Sequence, residues 1–418
     1  MITPSFGLTA TERVLPKLAL DFTTASLDSR VTFTRTTDAT HPATYVNSSG
    51  VVTAATNNQP RFDHDPVTLA CKGLLIEESR TNLDAYSDDF NNTAWFYNNI
   101  GVTANSTTSP DGTTNADTVV QNSAASQHAI YKLGVSVTSG TTYTQSFYVK
   151  SNGTTQWIQL AASTGFDTTK YMNFDIVNGV VGNSNGVTSY AITPAGNNWF
   201  RCSISIPATA TGTGVIVLGL LQGNTASRLP SYTGDGTSGI YVWGAQLEAG
   251  AFATSYIPTT TAALTRNADV AVMTGTNFSD WFNASEGTLL AEATGQSTYL
   301  QIGVGANTNS RIWISPFTGQ NFVYGDAAGT NQCALGSSSL AGLLGKICGA
   351  YKLNNFGCAI SGAATTTDLS GTVGATPDSL AIGYRNTTSP NAFLNGTIKK
   401  FMYWSQRLTN AELQAFSK

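Results

Sequence analysis

Charge is scarce in this chain of 418 residues: Asp, Glu, Lys and Arg make up only 11%, against about 25% in an average globular protein. The formal net charge is -4, and no run of Lys or Arg is present that would neutralise a row of phosphates, so no nucleic-acid partner is expected. Phosphate-binding loops of the G-x-x-x-x-G-K-[ST] type are also absent, despite 40 glycines. Nucleotide-driven chemistry is therefore not predicted.

Long apolar runs and a secretory leader are missing as well. No window approaches the roughly 18 uninterrupted apolar residues of a membrane-spanning helix, so membrane insertion is not predicted. The opening MITPSFGLTATERVLPKLAL lacks a basic region followed by an apolar stretch, so we expect synthesis in the cytosol without an encoded route across a membrane. The five cysteines form no C-x-x-C pair and are expected to be reduced, mostly buried side chains: Cys71, Cys202, Cys333, Cys348 and Cys358.

Metal ligands are few and badly spaced. The three histidines, His41, His64 and His128, show no ligand-like spacing, so neither a metal nor a cofactor is predicted. In the loop SYTGDGTSG (231–239), Asp235 lies among glycines but lacks the further carboxylates of a calcium loop. A tight glycine turn between two strands is the favoured interpretation there.

One short stretch contains residues of the types that act as catalytic acid, base or nucleophile: Asp63, His64, Asp65, Cys71, Glu77 and Glu78. Glu77 and Glu78 are consecutive, so on a strand they point to opposite faces and do not form a glycosidase pair. Asp63 and Asp65 share a face, but salt-bridge partners or turn caps are favoured for them. Nothing orients His64 against Cys71, and the chain is predicted not to be an enzyme.

What the sequence does contain is strand signals. In WFRCSISIP (199–207), Phe200, Cys202, Ile204 and Ile206 alternate with more polar residues, which predicts one inward face. Similar runs are TYTQSFYVKS (142–151), GVIVLGLLQG (214–223), GIYVWGAQLE (239–248), TLLAEAT (288–294), SRIWISPF (310–317) and GTIKKFMYW (396–404). Turn formers separate them, which is typical of β-sandwiches.

One helix is predicted, at the end of the chain from about Asn410. In RLTNAELQAF, Thr409 and Glu412 have the spacing of a capping box, and Leu408 and Leu413 that of a hydrophobic staple. The segments FTRTTDA (33–39) and LTRNADV (264–270) are locally similar, which we ascribe to the Thr-rich composition.

The predicted fold class is therefore all-β, with two β-sandwich (jelly-roll) modules after an N-terminal anchoring segment, and a short C-terminal helix. Composition places the boundaries at 1–84 for the charged proximal segment, 85–257 for the first strand-rich block, 258–269 for a Pro- and Thr-containing linker and 270–418 for the second block. If either block binds sugars, exposed rings are the candidates: Trp157, Tyr232, Trp313 and Tyr384.

A resemblance to known proteins is carried by residues 27–83, above all RFDHDP (61–66) and KGLLIEESRTNL (72–83). This stretch resembles the opening region of bacteriophage virion fibre and spike proteins, including head spike fibre proteins. YTGDGTSGIYVWGAQLEAGAFATSYIPT (232–259) is similar to carbohydrate-binding-module-like jelly rolls of phage tail and fibre proteins. FLNGTIKKFMYWSQRLTNAELQAF (393–416) looks like the closing strands and helix of concanavalin-like, laminin-G-like sandwiches.

The resemblance implies a structural virion protein, made in the bacterial host cytoplasm and attached to capsid, neck or tail proteins. Fibres of this kind are usually homotrimers, so self-association is expected. The charged residues near the proximal end would then form a buried or interfacial salt-bridge network that orders residues 1–84: Arg61, Asp63, Asp65, Glu77, Glu78 and Arg80. Adhesion to a host-surface polysaccharide through the distal module is the expected task.

Two alternatives stay open. A tailspike-type glycan depolymerase is one, since concanavalin-like sandwiches also include glycoside hydrolases; Glu292 is the residue that would test it. The acidic residues of 270–418 are scattered, which disfavours this alternative. A purely architectural capsid decoration protein is the other, and only a binding test separates it from an adhesin.

Overall fold

The computed structural model describes residues 15–36, 43–187, 189–225, 227–304, 307–317, 319–326, 328–387 and 389–418. His41 lies outside these residues. The chain divides into two compact units: unit 1 combines residues up to 32 with residues 271–418, and unit 2 is residues 33–270. The sequence of unit 2 thus interrupts that of unit 1.

Strands dominate the described residues. The first seventeen are β1 (Leu18–Asp21), β2 (Thr32–Thr34), β3 (Ala43–Val46), β4 (Val52–Ala55), β5 (Phe62–His64), β6 (Cys71–Ile76), β7 (Arg80–Asn82), β8 (Trp95–Asn98), β9 (Ile100–Thr107), β10 (Ala116–Gln121), β11 (Ala125–Ser126), β12 (Ala129–Val137), β13 (Thr142–Ser151), β14 (Trp157–Ala162), β15 (Tyr171–Asp175), β16 (Val180–Asn185) and β17 (Ser189–Pro194). The others are β18 (Phe200–Pro207), β19 (Gly212–Leu221), β20 (Tyr232–Thr233), β21 (Gly239–Ala249), β22 (Leu264–Arg266), β23 (Val270–Thr274), β24 (Glu286–Thr294), β25 (Leu300–Val304), β26 (Asn307–Ile314), β27 (Phe322–Gly325), β28 (Asn331–Leu335), β29 (Leu344–Lys352), β30 (Phe356–Ile360), β31 (Thr366–Asp368), β32 (Ser379–Ile382) and β33 (Gly396–Trp404).

Unit 2 is built on two six-stranded antiparallel sheets, in the orders β17-β18-β13-β21-β10-β9 and β16-β15-β14-β19-β12-β8. Its apolar core includes Phe147, Ile204, Leu218 and Val242, each at most 2% exposed. Alternation in β18 explains the packing: Cys202, Ile204 and Ile206 join this core, as predicted from their spacing of two. The result is the jelly-roll type of β-sandwich that the sequence predicts.

Unit 1 contains two further sheets. In one, β31, β30, β29, β24 and β33 are neighbours in that order, and β1 pairs with β33. In the other, β32 is followed by β25, β26, β27 and β28, and β23 pairs with β32. The predicted strand signals at 288–294, 310–317 and 396–404 correspond to β24, β26 and β33. The all-β fold class is confirmed.

The described helices are short: α1 (Thr276–Ser279), α2 (Asn410–Phe416) and a 3-10 turn at Phe22–Thr24. In α2 the predicted capping box is present, because Thr409 accepts from the Glu412 amide and the Glu412 side chain accepts from the Thr409 amide. Leu408 and Leu413 are both buried in one apolar cluster with Trp404, which is the packing of a hydrophobic staple. The terminal helix is thus confirmed.

The compact units divide the chain differently from the sequence boundaries. The predicted segment 1–84 is shared between both units because β1 pairs with β33 in unit 1, whereas β7 pairs with β22 in unit 2. Residues 258–269, predicted as a linker, belong to unit 2. They contain β22 and two buried charged residues, Arg266 and Asp269.

Candidate binding groove and buried ion cluster

Five charged side chains meet in the interior of unit 2, and we call them the ion cluster: Arg35, Arg61, Glu77, Arg266 and Asp269. Arg61 pairs with Glu77 at 2.8 Å between Nη2 and Oε2, and with Asp269. Arg35 Nη1 lies 2.7 Å from Asp269 Oδ1, and Arg266 Nη1 lies 3.1 Å from Glu77 Oε2. Each of the five side chains is at most 5% exposed.

Backbone and hydroxyl groups also form hydrogen bonds with the ion cluster. Ser255 donates to Glu77 from its amide and its hydroxyl, each at 2.7 Å. Asp269 Oδ2 accepts from the Glu77 amide at 2.9 Å. Arg61 donates to the Thr44 carbonyl at 2.8 Å. Segments far apart in the sequence are therefore tied together within one chain.

The electrostatic balance of the ion cluster keeps the Glu77 carboxylate charged. Burial alone would raise the pKa of Glu77, but Arg266, Arg61 and the Ser255 hydrogen bonds outweigh it and hold that pKa at about 2. Burial would likewise lower the pKa of Arg61, yet Asp269 and Glu77 raise it. Arg266 and Arg35 have lowered pKa values because burial is the largest influence on each.

Of the six residues predicted to form one network, only Arg61 and Glu77 are in the ion cluster. Asp63 accepts from the Val46 amide at 2.8 Å, and its Oδ2 lies 3.4 Å from Lys72 Nζ. Asp65 accepts from the amides of its own turn, at 3.0 Å from Val67 and 2.8 Å from Thr68. These are the salt-bridge and turn-cap roles that the sequence favours for this pair.

Glu78 and Arg80 form a separate pair with 2.6 Å between Oε1 and Nε. Arg80 also donates to the Ala249 carbonyl and places its Cζ 4.7 Å from the Phe252 ring centroid. Gly250 allows this approach: a Cβ there would meet the guanidinium at 1.7 Å, and its φ of +137° disfavours any side chain. The predicted cluster is thus three local arrangements plus part of the ion cluster.

A cavity of about 260 Å³ lies beside the ion cluster in unit 2, and Asp63, Glu77, Lys72, Arg201 and Tyr148 are among its lining residues. Burial raises the pKa of Asp63, whereas that of Glu77 is about 2. Both carboxylates already accept hydrogen bonds from backbone amides. These hydrogen bonds fix the positions of both carboxylates.

Two of the predicted sugar-binding rings lie in unit 2. Trp157 is half-buried, and a Cβ on Gly182 would lie 2.6 Å from its Cζ3, so β16 passes directly over the ring. Tyr232 lines a groove of about 370 Å³ with Gln222, Asn224 and others. Its hydroxyl donates to Gln121 Oε1 at 2.7 Å, which fixes the ring.

The Gly-rich loop that follows Tyr232 is a turn held by Asp235. This carboxylate accepts from Gln121 Nε2 at 2.9 Å and from the amides of Thr237 and Ser238 at 2.8 and 2.7 Å. The Gln121 hydrogen bond is the largest cause that lowers the pKa of Asp235. Among the residues that the structure describes, no group of three or more His, Cys, Asp or Glu side chains is arranged to hold a metal ion.

The other two predicted rings lie in unit 1. Tyr384 is 1% exposed and stacks on Phe393 with ring centroids 5.6 Å apart, so no ring face is available to a ligand. Trp313 is 9% exposed and lines a groove of about 200 Å³. We call this the Trp313 groove, and its lining residues are Ser297, Thr298, Gln301, Trp313, Ser315, Phe317, Gln320, Arg385 and Ala392.

Strand pairing determines which side chains lie at the base of the Trp313 groove. Gln301 of β25 is directly opposite Trp313 of β26, so both side chains are on one face of the sheet. The alternate residues Ile312 and Ile314 are fully buried on the other face. The chain then turns at Ser315, whose hydroxyl donates to the Gln320 carbonyl at 2.7 Å, and Phe317 on this turn is 44% exposed.

The groove offers binding chemistry without an acid and base pair. An exposed ring, two amide side chains and a guanidinium line it, and none of the lining residues in the described part of the chain is acidic. Glu292, the residue that tests the depolymerase alternative, lies 3.6 Å from Lys346 Nζ and 3.9 Å from Lys399 Nζ. Phe317 and Arg385 were not singled out from the sequence, because their convergence on Trp313 depends on loops between strands.

Comparisons with known proteins assign no family to the chain. No family model matches the chain, and no curated protein matches it. Among solved structures, domains LG4-5 of the mouse laminin alpha1 chain are similar over 69% of this chain and 93% of that chain, at 11% identity and a TM-score of 0.22. No helix among the described residues has the length and apolar character needed to span a membrane.

Proposed function

We propose that this chain is a non-enzymatic bacteriophage virion protein, a fibre or spike that attaches to capsid, neck or tail and adheres to a host-surface glycan through unit 1. The observation that carries the proposal is the Trp313 groove, where an exposed ring and amide side chains converge. Sugars are bound in this way, by ring stacking and by hydrogen bonds from amide groups.

The resemblance of residues 27–83 to phage fibre and spike proteins supports the virion part of the proposal. The same stretch contributes Arg35, Arg61 and Glu77 to the ion cluster, so its unusual charges order the proximal sequence internally. Homotrimer formation remains part of the proposal. Display of three weak sites would raise the affinity for a repetitive glycan through effective concentration.

Absence of catalysis is also proposed, and the lining of the Trp313 groove supports it. Glycoside hydrolysis uses two carboxyl groups about 5 to 9.5 Å apart, whereas the lining residues contribute hydroxyl, amide and guanidinium groups. We therefore expect no release of reducing ends when the full-length protein is incubated with glycans that it binds.

The test is a pull-down of the full-length protein on intact bacteria from a strain panel, together with light scattering. Phe317→Ala removes the exposed ring of the groove, and Phe96→Ala is the matched control, a 53% exposed ring in unit 2. We expect light scattering to show a trimer and at least one strain to retain the protein. Periodate oxidation of the surface sugars should abolish this retention. Phe317→Ala should weaken retention at least tenfold, and Phe96→Ala should not.

A monomer that no strain retains would support the architectural alternative and end the adhesin proposal. Retention that survives both periodate and Phe317→Ala would point to a protein receptor bound elsewhere on the chain.

A further inference from the structure

The Trp313 groove carries positive charge that lacks a counter-charge in the described chain. Arg385 lines the groove, and the Arg311 guanidinium lies on the Trp313 ring with its Cζ 4.3 Å from the centroid. Every ion pair among the described residues of unit 1 uses a different cation: Arg30, Lys346, Lys352, Lys399 or Lys400.

The two guanidinium groups also interact with each other unfavourably. Nη1 of Arg311 is buried and has no hydrogen-bond partner among the residues that the structure describes. Burial and the charge of Arg385 together lower the pKa of Arg311 to about 10. A like-charge pair is costly, and an anion bound at Arg385 in the groove would offset this repulsion.

The size and remaining lining of the groove limit the ligand. Its volume of about 200 Å³ is below the range of roughly 300 to 1,000 Å³ that suits drug-sized ligands, so one sugar unit fits better than an extended chain. Phe317 supplies an exposed ring. Gln301 and Gln320 supply amide groups at the same place, which match sugar hydroxyls.

We infer that the Trp313 groove binds a sugar unit that carries a carboxylate. Arg385 binds the carboxylate, Arg311 adds its charge from the face of Trp313, and the sugar ring lies against Phe317. The planar fork of a guanidinium matches the two oxygens of a carboxylate. This inference rests on the proposed adhesive function and names the class of glycan that it recognises.

The experiment measures retention of the full-length protein on polygalacturonate, alginate, hyaluronate and polysialic acid, at about 0.15 M NaCl so that weak surface attraction is screened. Each polymer is compared with its carboxyl-reduced, neutral form. Arg385→Gln removes the proposed ligand, and Arg385→Lys keeps its charge but not its fork. Lys352→Gln is the matched control, because it removes one positive charge from a strand of the other sheet of unit 1.

We expect at least one acidic polymer to retain the wild type at least tenfold better than its reduced form. Arg385→Gln should abolish that difference, Arg385→Lys should restore part of it, and Lys352→Gln should leave it intact. Equal retention on acidic and reduced polymers, or equal retention of wild type and Arg385→Gln, would overturn the inference. So would retention on dextran sulfate as strong as on any uronate or sialate, because charge alone would then suffice.

The two proposals fail separately. If no acidic polymer retains the protein while bacteria still do so through Phe317, the carboxylate inference falls and the adhesin stands. If neither polymers nor bacteria retain it, both fall.

Discussion

At the scale of single residues, Asp84 is a carboxyl group buried in unit 2, and neither of its oxygens has a hydrogen-bond partner in the described part of the chain. Burial raises its pKa from the ordinary 3.8 to about 7, and the positive charge of Lys132 only partly opposes this. The folded protein therefore keeps a proton that the unfolded chain releases between about pH 4 and pH 7. The free energy of unfolding should fall as the pH rises through this window and then level off.

Asp84→Asn removes this titration. We expect the stability of the variant relative to wild type to increase between pH 5 and pH 8, on the order of 2 kcal/mol, as measured by urea unfolding at each pH. Asp65→Asn makes the same change at a carboxylate in a surface turn and should show no such increase. Parallel pH profiles of wild type and Asp84→Asn would refute the assignment.

Glu77 provides the second residue-scale prediction. Glu77→Gln leaves Asp269 as the remaining carboxylate of the ion cluster for its three buried arginines, and this loss of charge balance costs about 3 to 5 kcal/mol of the free energy of unfolding. The neighbouring Glu78→Gln is the control, because Glu78 is 33% exposed and pairs with Arg80 near the surface; it should cost less than about 1 kcal/mol. Chemical unfolding measures both, and equal costs would mean that the ion cluster is not what orders this part of unit 2.

The pKa of Glu77, about 2 against an ordinary 4.5, fixes the pH dependence of this contribution. It is fully present above about pH 4.5 and is lost as the pH falls towards 2. The difference between wild type and Glu77→Gln should therefore shrink in acid, which is opposite to the behaviour expected for Asp84.

At the scale of elements, β1 ties the beginning of the chain into unit 1. Its register on β33 runs from Leu18 opposite Tyr403 to Asp21 opposite Lys400, and Leu20 is 2% exposed. We expect Leu20→Ala to destabilise unit 1 by about 2 to 5 kcal/mol. Leu15→Ala, at a side chain that is 76% exposed, should change stability by less than about 0.5 kcal/mol.

Hydrogen exchange locates the effect: Leu20→Ala should speed exchange of β33 amides and leave β18 of unit 2 unchanged. Equal loss of protection in both strands would contradict the assignment of β1 to unit 1.

The sequence predicts elements better than it predicts the sites. Residues 142–151 coincide with β13 and 396–404 with β33, because period-two burial and turn residues are local signals. Of the five members of the ion cluster, the sequence predicts only Arg61 and Glu77. Asp269 is 208 residues beyond Arg61, and a contact over that separation leaves no local pattern in the sequence. The sequence does contain a signal for two further members: the similar segments FTRTTDA and LTRNADV contain Arg35 and Arg266 at matching positions.

The predicted sugar-binding rings also show that a site is harder to predict from the sequence than a strand. Trp313 and Tyr384 look equivalent in sequence, yet Trp313 lines a groove while Tyr384 is covered by Phe393. Which ring keeps a free side depends on how loops close over the sheet, and that is a long-range property.

At the scale of the whole molecule, unit 2 is one continuous segment, whereas unit 1 needs both ends of the chain. β1 and β33 are further apart in the sequence than any two strands that pair within unit 2. Bringing such distant strands together costs more conformational entropy and is slower. We expect pulse-labelled refolding to protect β13 and β19 before β24 and β33. A circular permutant that joins residues 1–32 after residue 418 through a flexible linker should shorten the time between protection of the unit 2 strands and protection of the unit 1 strands. Simultaneous protection of both sets of strands in the native sequence would contradict the prediction.

All five cysteines lie in the described residues, none forms a disulfide, and four are buried. Burial raises the pKa of Cys202, Cys348 and Cys358 well above that of an ordinary thiol, and that of Cys333 to about 12. Oxidants and disulfide exchange act on the thiolate, which these four groups scarcely form. Passage from a reducing to an oxygenated environment should therefore leave these four groups chemically unaltered, with no redox step needed to mature or preserve the fold around them.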